Sequence, residues 1–172
     1  MTRWLSDDEQ RHWRAWLASS RLLNDRLSRE LSERHGLTLA DYEILVHLSE
    51  APERRLRMSD LAEATRASRS RLSHQVDRME RAGLVERMPC QDDRRGWFAA
   101  LTDRGWETIV AAAPDHVEGV RQHLLDVLTP AEFTTLGDAC AKVVAAIEDD
   151  ETDQEAGGRP SAGARDGGRA SL

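Results

Sequence analysis

Lysine is almost absent from this 172-residue chain: Lys142 stands alone, and arginine supplies the rest of the 24 basic side chains. Cysteine is nearly as scarce. Cys90 and Cys140 lie far apart and form no CxxC pair, which excludes a disulfide framework and indicates no structural zinc site. No apolar run approaches the ~20 residues that a membrane-spanning helix needs, and a mean hydropathy of -0.61 points the same way. Met1 to Gln10 turns acidic within a few residues and lacks the apolar core of a signal peptide, so a cytoplasmic protein without membrane association is expected. Also missing are HExxH, a glycine-rich phosphate loop and a nucleophile motif. The expectation is a protein with no catalytic residues, no metal and no cofactor. What the chain does have is 40% apolar residues, enough at this length for one domain with an appended arm or tail.

Charge is unevenly placed. The net -7 divides into -2 for residues 1–52, +3 for 53–105, -6 for 106–149 and -2 beyond. A single arginine-rich block inside an acidic frame points to a focused polyanion site.

Helical and strand periods alternate along the chain. Ser6-Asp-Asp-Glu9 is a capping box, followed by Trp13, Trp16, Leu17, Leu23, Leu27 and Leu31 at spacings of three and four, one face of a long helix stopped near Gly36. Thr38 caps a second helix, Leu39 to Ser49, closed by Pro52 and Glu53-Arg54-Arg55. Ser59 is read as the cap of a third helix, through Thr65, and Ser68 as the cap of a fourth, ending at Gly83. The period then changes to two. Leu84–Met88 and Trp97–Leu101 read as strands around the polar loop Cys90-Gln-Asp-Asp-Arg-Arg-Gly96. Thr102 opens a long helix reaching Leu128, with a kink expected at Pro114. Thr129-Pro-Ala-Glu132 opens a last one, ending near Ile147. Residues 150–172 lose the pattern and read as a disordered tail.

Two short helices joined by a tight turn, then a hairpin, is the plan of a winged helix-turn-helix. On the fourth helix Leu72, Val76 and Met79 form the inward stripe, and Ser70, Arg71, His74 and Arg78 lie opposite or beside it. Arginine there can donate to guanine O6 and N7, while Ser68 and Ser70 bond phosphate. At the hairpin tip Arg94 and Arg95 can enter a minor groove, with Asp93 orienting the guanidinium. The alternatives are a solvated amphipathic helix and a soluble turn with a surface ion pair. The two signals together, at the spacing that a wing requires, favour nucleic acid.

Ser59-Asp-Leu-Ala-Glu, Ser68-Arg-Ser-Arg-Leu-Ser, Asp77-Arg-Met-Glu-Arg-Ala-Gly-Leu-Val and Asp93-Arg-Arg-Gly with Leu-Thr-Asp-Arg-Gly105 resemble the MarR family of bacterial regulators over residues 10–148. The resemblance implies a mainly α, six-helix winged helix-turn-helix with a two- to three-stranded β-wing, held in an obligate-type homodimer. Residues 1–36 would be an N-terminal dimerisation helix, 37–105 the DNA-binding lobe and 106–149 the C-terminal dimerisation helices. The first and last helices also carry apolar faces with nothing local to cover them, which marks association. Ser59, Ser68, Arg69, Ser70, Arg71, Ser73, His74, Arg78, Arg94 and Arg95 are the expected contacts to double-stranded DNA. A repressor on a pseudo-palindromic operator is expected.

The resemblance further implies release by a small aromatic or phenolic ligand. Trp13, Arg14, Trp16, Tyr42, His47 and Trp106 are candidates to line its pocket, although Trp13 and Trp16 read first as dimer core. Cys90 offers a weaker alternative, a redox switch, but oxidant-sensing relatives carry their cysteine in the first helix, where this chain has none. Cys140 reads as a small core residue. His116 and His123 share a helical face without a third ligand, which is too little for a metal site. A winged-helix module that binds protein instead of DNA is the remaining alternative.

Overall fold

A computed structural model describes residues 1–90 and 96–157. Asp93, Arg94 and Arg95, and residues 158–172 of the expected tail, lie outside the described residues. Contacts divide the chain into a unit spanning Met1–Val127 and a second beginning at Leu128.

In the first unit, helix α1 (Asp7–His35) begins at the Ser6/Glu9 capping box and ends at Gly36, whose φ of 67° is the left-handed conformation that glycine adopts without steric cost. Helix α2 (Leu39–Glu50) starts at a second reciprocal box between Thr38 and Asp41. After a 3-10 turn at Pro52–Arg54 comes strand β1 (Arg55–Arg57), then the short α3 (Met58–Ala64) and α4 (Arg69–Arg81). Strands β2 (Val85–Pro89) and β3 (Trp97–Leu101) precede α5 (Asp103–Val120), which runs on into a π turn at Arg121–Leu125. The sheet is antiparallel in the order β1-β3-β2. Arg57 opposes Phe98, and Arg87 opposes Ala99.

The core lies between α2, α3, α4, the sheet and the facing parts of α1 and α5. Leu31, Ile44, Leu45, Leu48, Leu61, Leu72, Val76, Met79 and Val85 are its fully buried large side chains. Each such side chain stabilises the fold by about 1.5–3 kcal/mol relative to exposure. The Leu72, Val76, Met79 stripe lies inward as the spacing on α4 predicts.

Three local readings are corrected. Ser59 does not cap α3: the helix starts two residues earlier than that cap would place it, at Met58, because Arg57 is held extended by its pairing with β3, and the Ser59 hydroxyl donates to Asp60 at 2.8 Å instead. Arg55, read as part of the polar Glu53-Arg54-Arg55 end of the second helix, instead opens β1 with Leu56 and Arg57, and this strand makes the sheet three-stranded. In the second unit, α6 (Pro130–Gly157) carries its backbone beyond both Ile147 and Asp150, through an acidic run whose Glu, Gln and Ala are good helix formers. Its first turn is closed by the Thr129/Glu132 box: Thr129 N–H donates to Glu132 Oε2 at 2.8 Å and Glu132 N–H to Thr129 Oγ1 at 3.3 Å.

The junction behind the hairpin explains why glycine stands at position 105. Thr102 Oγ1 accepts from Gly105 N–H at 3.0 Å and donates to the Gly83 carbonyl at 2.7 Å, drawing the start of α5 onto the end of the Gly83–Leu84 turn. A Cβ on Gly105 would overlap the Leu84 carbonyl oxygen. The hydroxyl and the missing side chain therefore fix how α5 leaves the sheet.

Candidate nucleic-acid interface

The turn between α3 and α4 is only Thr65-Arg66-Ala67. Thr65 Oγ1 returns its proton to the Leu61 carbonyl at 2.7 Å, and Ala67 N–H donates to Ala62 O at 3.0 Å. Arg66 takes a φ of 49°, a left-handed conformation that costs a non-glycine residue about 1–2 kcal/mol. The packing of Leu61 and Ala62 beneath the turn offsets that cost and sets the angle between the helices.

Ser68 then caps α4, its Oγ accepting the Arg71 N–H at 3.3 Å and lying 3.4 Å from the Ser70 hydroxyl. Ser59, Ser68, Arg69, Ser70, Arg71 and His74 are all exposed. With Leu72, Val76 and Met79 turned inward, a helix of this polarity offers guanidinium, imidazole and hydroxyl donors along one open face. Among the described residues, neither Arg69 nor Arg71 is paired with a carboxylate.

Two of the expected contact residues are engaged elsewhere. Arg78 donates through Nη2 to Asp41 Oδ1 at 2.5 Å, and Asp41 is buried. Ser73 is half-buried, and its carbonyl and hydroxyl oxygens accept from Arg87 Nη2 at 2.9 and 3.2 Å.

Arg87, which the sequence reading left out, is the clasp between the hairpin and α4. Besides Ser73, its guanidinium pairs with Asp77 and reaches Glu80 at 3.4 Å, while its backbone N–H donates to Glu80 Oε1 at 3.0 Å. The Arg87 side chain is only 20% exposed. Its hydrogen bond, then its charge, holds the Asp77 carboxyl below the ordinary carboxylate range, with smaller help from Arg81 and His74. Asp77 thus stays ionised at neutral pH. The available signal was strand alternation: Arg87 shares the inward face with Val85, and an inward arginine needs acids opposite it.

At the base of the hairpin, Cys90 is buried and its N–H donates to Gly96 O at 2.9 Å. A groove of about 680 Å³ opens between β1, the start of α4 and this hairpin root, lined among others by Arg57, Ser59, Arg69, Ser73, Arg87 and Trp97. Arg57, the second residue absent from the sequence reading, packs its guanidinium 5.4 Å from the Phe98 ring centre.

The six candidate effector-pocket residues are spread over different surroundings. Trp13, Arg14 and Trp16 are exposed on α1, His47 is half-buried on α2, and Trp106 lies beneath Arg54 with the guanidinium 3.8 Å from its ring centre. Tyr42 is buried, and its ring packs 4.3 Å from that of His116. Burial, and secondarily Glu50, raises the Tyr42 hydroxyl pKa, and burial lowers that of His116. A small void beside them is lined by Leu27, Glu30, Leu31, His35, Asp115 and His116. His123 pairs with Glu30 at 2.9 Å, so the two histidines seven residues apart have separate partners. Among the described residues no three His, Cys, Asp or Glu side chains gather as metal ligands.

The family model described as the MarR family matches residues 35–96, which takes in α2, the helix-turn-helix and the first half of the hairpin. The chain is 51% identical to AbsC of Streptomyces coelicolor, a MarR family transcriptional regulator. That likeness covers 86% of this chain and 99% of the other, with a TM-score of 0.82. It is 44% identical to Sco3205 of the same organism, another MarR family transcriptional regulator, whose structure is in complex with DNA. Here 85% and 91% of the chains are covered and the TM-score is 0.83. The HTH-type transcriptional regulator PecS of Dickeya dadantii is 33% identical over 111 residues, spanning 63% of this chain and 64% of that relative.

Proposed function

The chain belongs to the MarR family of transcriptional regulators, and from that premise we propose that it is a homodimeric repressor which reads a pseudo-palindromic operator through α4. The observation that carries this reading is the open donor face of α4, capped by Ser68 and bearing Arg69, Arg71 and His74 over a buried Leu72–Val76–Met79 stripe. The DNA bound to the 44% identical Sco3205 supports it. Arg71 is assigned to base edges, where a bidentate contact to guanine discriminates by about 1–3 kcal/mol. Ser59, Ser68 and Ser70 are assigned to phosphates, and Arg94 and Arg95 to the minor groove, with Asp93 orienting them.

Dimerisation is part of the proposal. Trp13, Trp16, Leu17 and Leu22 are exposed on α1, as are Phe133, Val143 and Ile147 on α6. A second copy is the occupant that the family's architecture supplies for these faces. No described helix is long and apolar enough to cross a membrane, in keeping with a regulator acting on DNA in the cytoplasm. A small aromatic or phenolic effector is assigned to the α1–α2–α5 region around Tyr42, with Trp13, Arg14, Trp16, His47 and Trp106 as the wider wall. Its role is to lower operator affinity.

The test is binding of the purified protein to the intergenic DNA beside its own gene, measured by fluorescence anisotropy, with Arg71→Ala alongside. Tight binding that scrambled DNA does not share, lost in the variant while the dimer persists, supports the reading. A dimer that binds both duplexes equally overturns it in favour of a protein-binding module. Loss of operator binding on adding an aromatic acid tests the effector assignment separately.

A further inference from the structure

Among the described residues, eight line the groove between β1, the start of α4 and the hairpin root; none of these is a carboxylate, and three are arginines from three different elements. The charge of Arg87 is already neutralised by Asp77 and Glu80. Arg57 and Arg69 are in a different position: neither pairs with a carboxylate among the described residues. Asp60, the neighbouring acid, accepts the Ser59 hydroxyl and does not line the groove. Arg57 is half-buried on the end of β1 and held from the side by Phe98, so its guanidinium needs little further ordering to bind an anion. Trp97, exposed on β3, gives the same groove an apolar wall.

Position supplies the second argument. If α4 enters a major groove and the hairpin reaches the adjacent minor groove, the sugar-phosphate strand that separates the two must pass between them. This groove is the space between them.

We propose that the groove is a sequence-indifferent phosphate seat, in which Arg57 and Arg69 bracket one DNA-backbone phosphate while Trp97 covers the adjoining sugar. The proposal rests on the DNA-reading function assigned to α4 and adds Arg57, a strand residue outside the helix-turn-helix, to the contact surface. Arg87 acts as the wall: bound to Ser73, Asp77 and Glu80, it keeps the hairpin root and α4 at the separation that one backbone strand requires. The seat positions the protein on the duplex and carries no base information.

The experiment is anisotropy titration of the wild type, Arg57→Gln, Arg57→Lys and Arg69→Gln on operator and scrambled duplexes between about 50 and about 200 mM salt, where each phosphate contact contributes about 0.9 to the slope of log K against log salt. Arg57→Gln is expected to lower that slope by about 0.9 per bound protomer and to weaken both duplexes by the same factor, about eightfold per site at about 0.1 M salt. Arg57→Lys should restore the slope. An unchanged slope, or a loss confined to operator, overturns the seat. So does selective competition by inorganic phosphate beyond that of chloride at equal ionic strength, which would make the groove a free-anion site.

A single methylphosphonate walked along the operator removes the reliance on a folded Arg57 variant. Several positions should weaken the wild type, and at one symmetric pair of them Arg69→Gln should lose nothing further. Additive losses at every position overturn the proposal. Failure of the α4 reading itself shows differently, as a wild type that does not separate operator from scrambled DNA.

Discussion

Arg78 reaches back from α4 to the buried carboxylate of Asp41, Nη2 to Oδ1 at 2.5 Å, while the other oxygen of Asp41 accepts the Thr38 N–H at 3.0 Å and the Thr38 hydroxyl at 2.7 Å. One carboxylate therefore caps α2 and anchors α4. Arg78→Ala leaves that acceptor without its cation, a loss of about 1–3 kcal/mol. Urea denaturation should show this destabilisation, with base preference retained at temperatures where the variant is folded. Arg71→Ala should do the reverse: the denaturation midpoint stays within experimental scatter, and operator preference falls by the ~1–3 kcal/mol of a lost base contact. A shift of sequence preference in Arg78→Ala would return that side chain to the DNA surface.

Gly105→Ala tests the junction behind the hairpin. The added methyl meets the Leu84 carbonyl oxygen, a backbone atom that cannot swing aside, so α5 must shift. Overpacking of this kind costs about 1–3 kcal/mol. A thermal melt should move down accordingly, and an unchanged melt would show the junction to be slack.

Acidification should loosen the α1–α5 seam. The His35 hydrogen bond, then the neighbouring Arg34, holds the Asp115 carboxyl below its usual range, and the His123 hydrogen bond, with Arg26, does the same for Glu30. A carboxylate with a depressed folded pKa contributes stability that is complete above its unfolded value, about 3.9 for Asp and about 4.3 for Glu, and is lost as pH falls through the folded value. The denaturation midpoint should therefore be lower in Asp115→Asn than in the wild type above about pH 4.5, and that gap should narrow as pH falls below about 3.9. A gap that widens on acidification would reverse the assignment.

The apolar face of α1 should be needed for assembly. Trp13 and Trp16 are each about half exposed in the protomer, at 51% and 45%. Changing both to Ser should yield a monomer by sedimentation and weaken operator binding by about two orders of magnitude or more, since each half-site then binds without its linked partner. A variant that remains dimeric places the interface elsewhere.

Much of this architecture is legible from local chemistry. The Ser6/Glu9 and Thr129/Glu132 boxes and the Thr38 cap mark their helices because each satisfies donors within four residues, and the Leu72–Val76–Met79 stripe needs only helical period. What escaped reading depends on contacts distant in sequence. Arg55–Arg57 is three residues long and alternates nothing, and it becomes a strand only because β3 lies beside it. Arg78 faces solvent on a helical wheel, and only the packing of α2 puts Asp41 within its reach. Ser59 fits the pattern of a cap, yet the preceding strand starts the helix two residues early. The exposed polar face of α4 was legible as a face. The engagement of Arg78 by Asp41 and of Ser73 by Arg87 was not.

Hydroxyl-radical footprinting of the wild type on its own intergenic DNA, with Arg71→Ala as control, tests the central claim most directly. Two protected stretches related by a dyad, with their centres about 10 base pairs apart or a multiple of that, and absent with the variant, are the predicted result. One asymmetric stretch, or the same protection from both proteins, would contradict a symmetric pair of α4 helices reading successive major grooves.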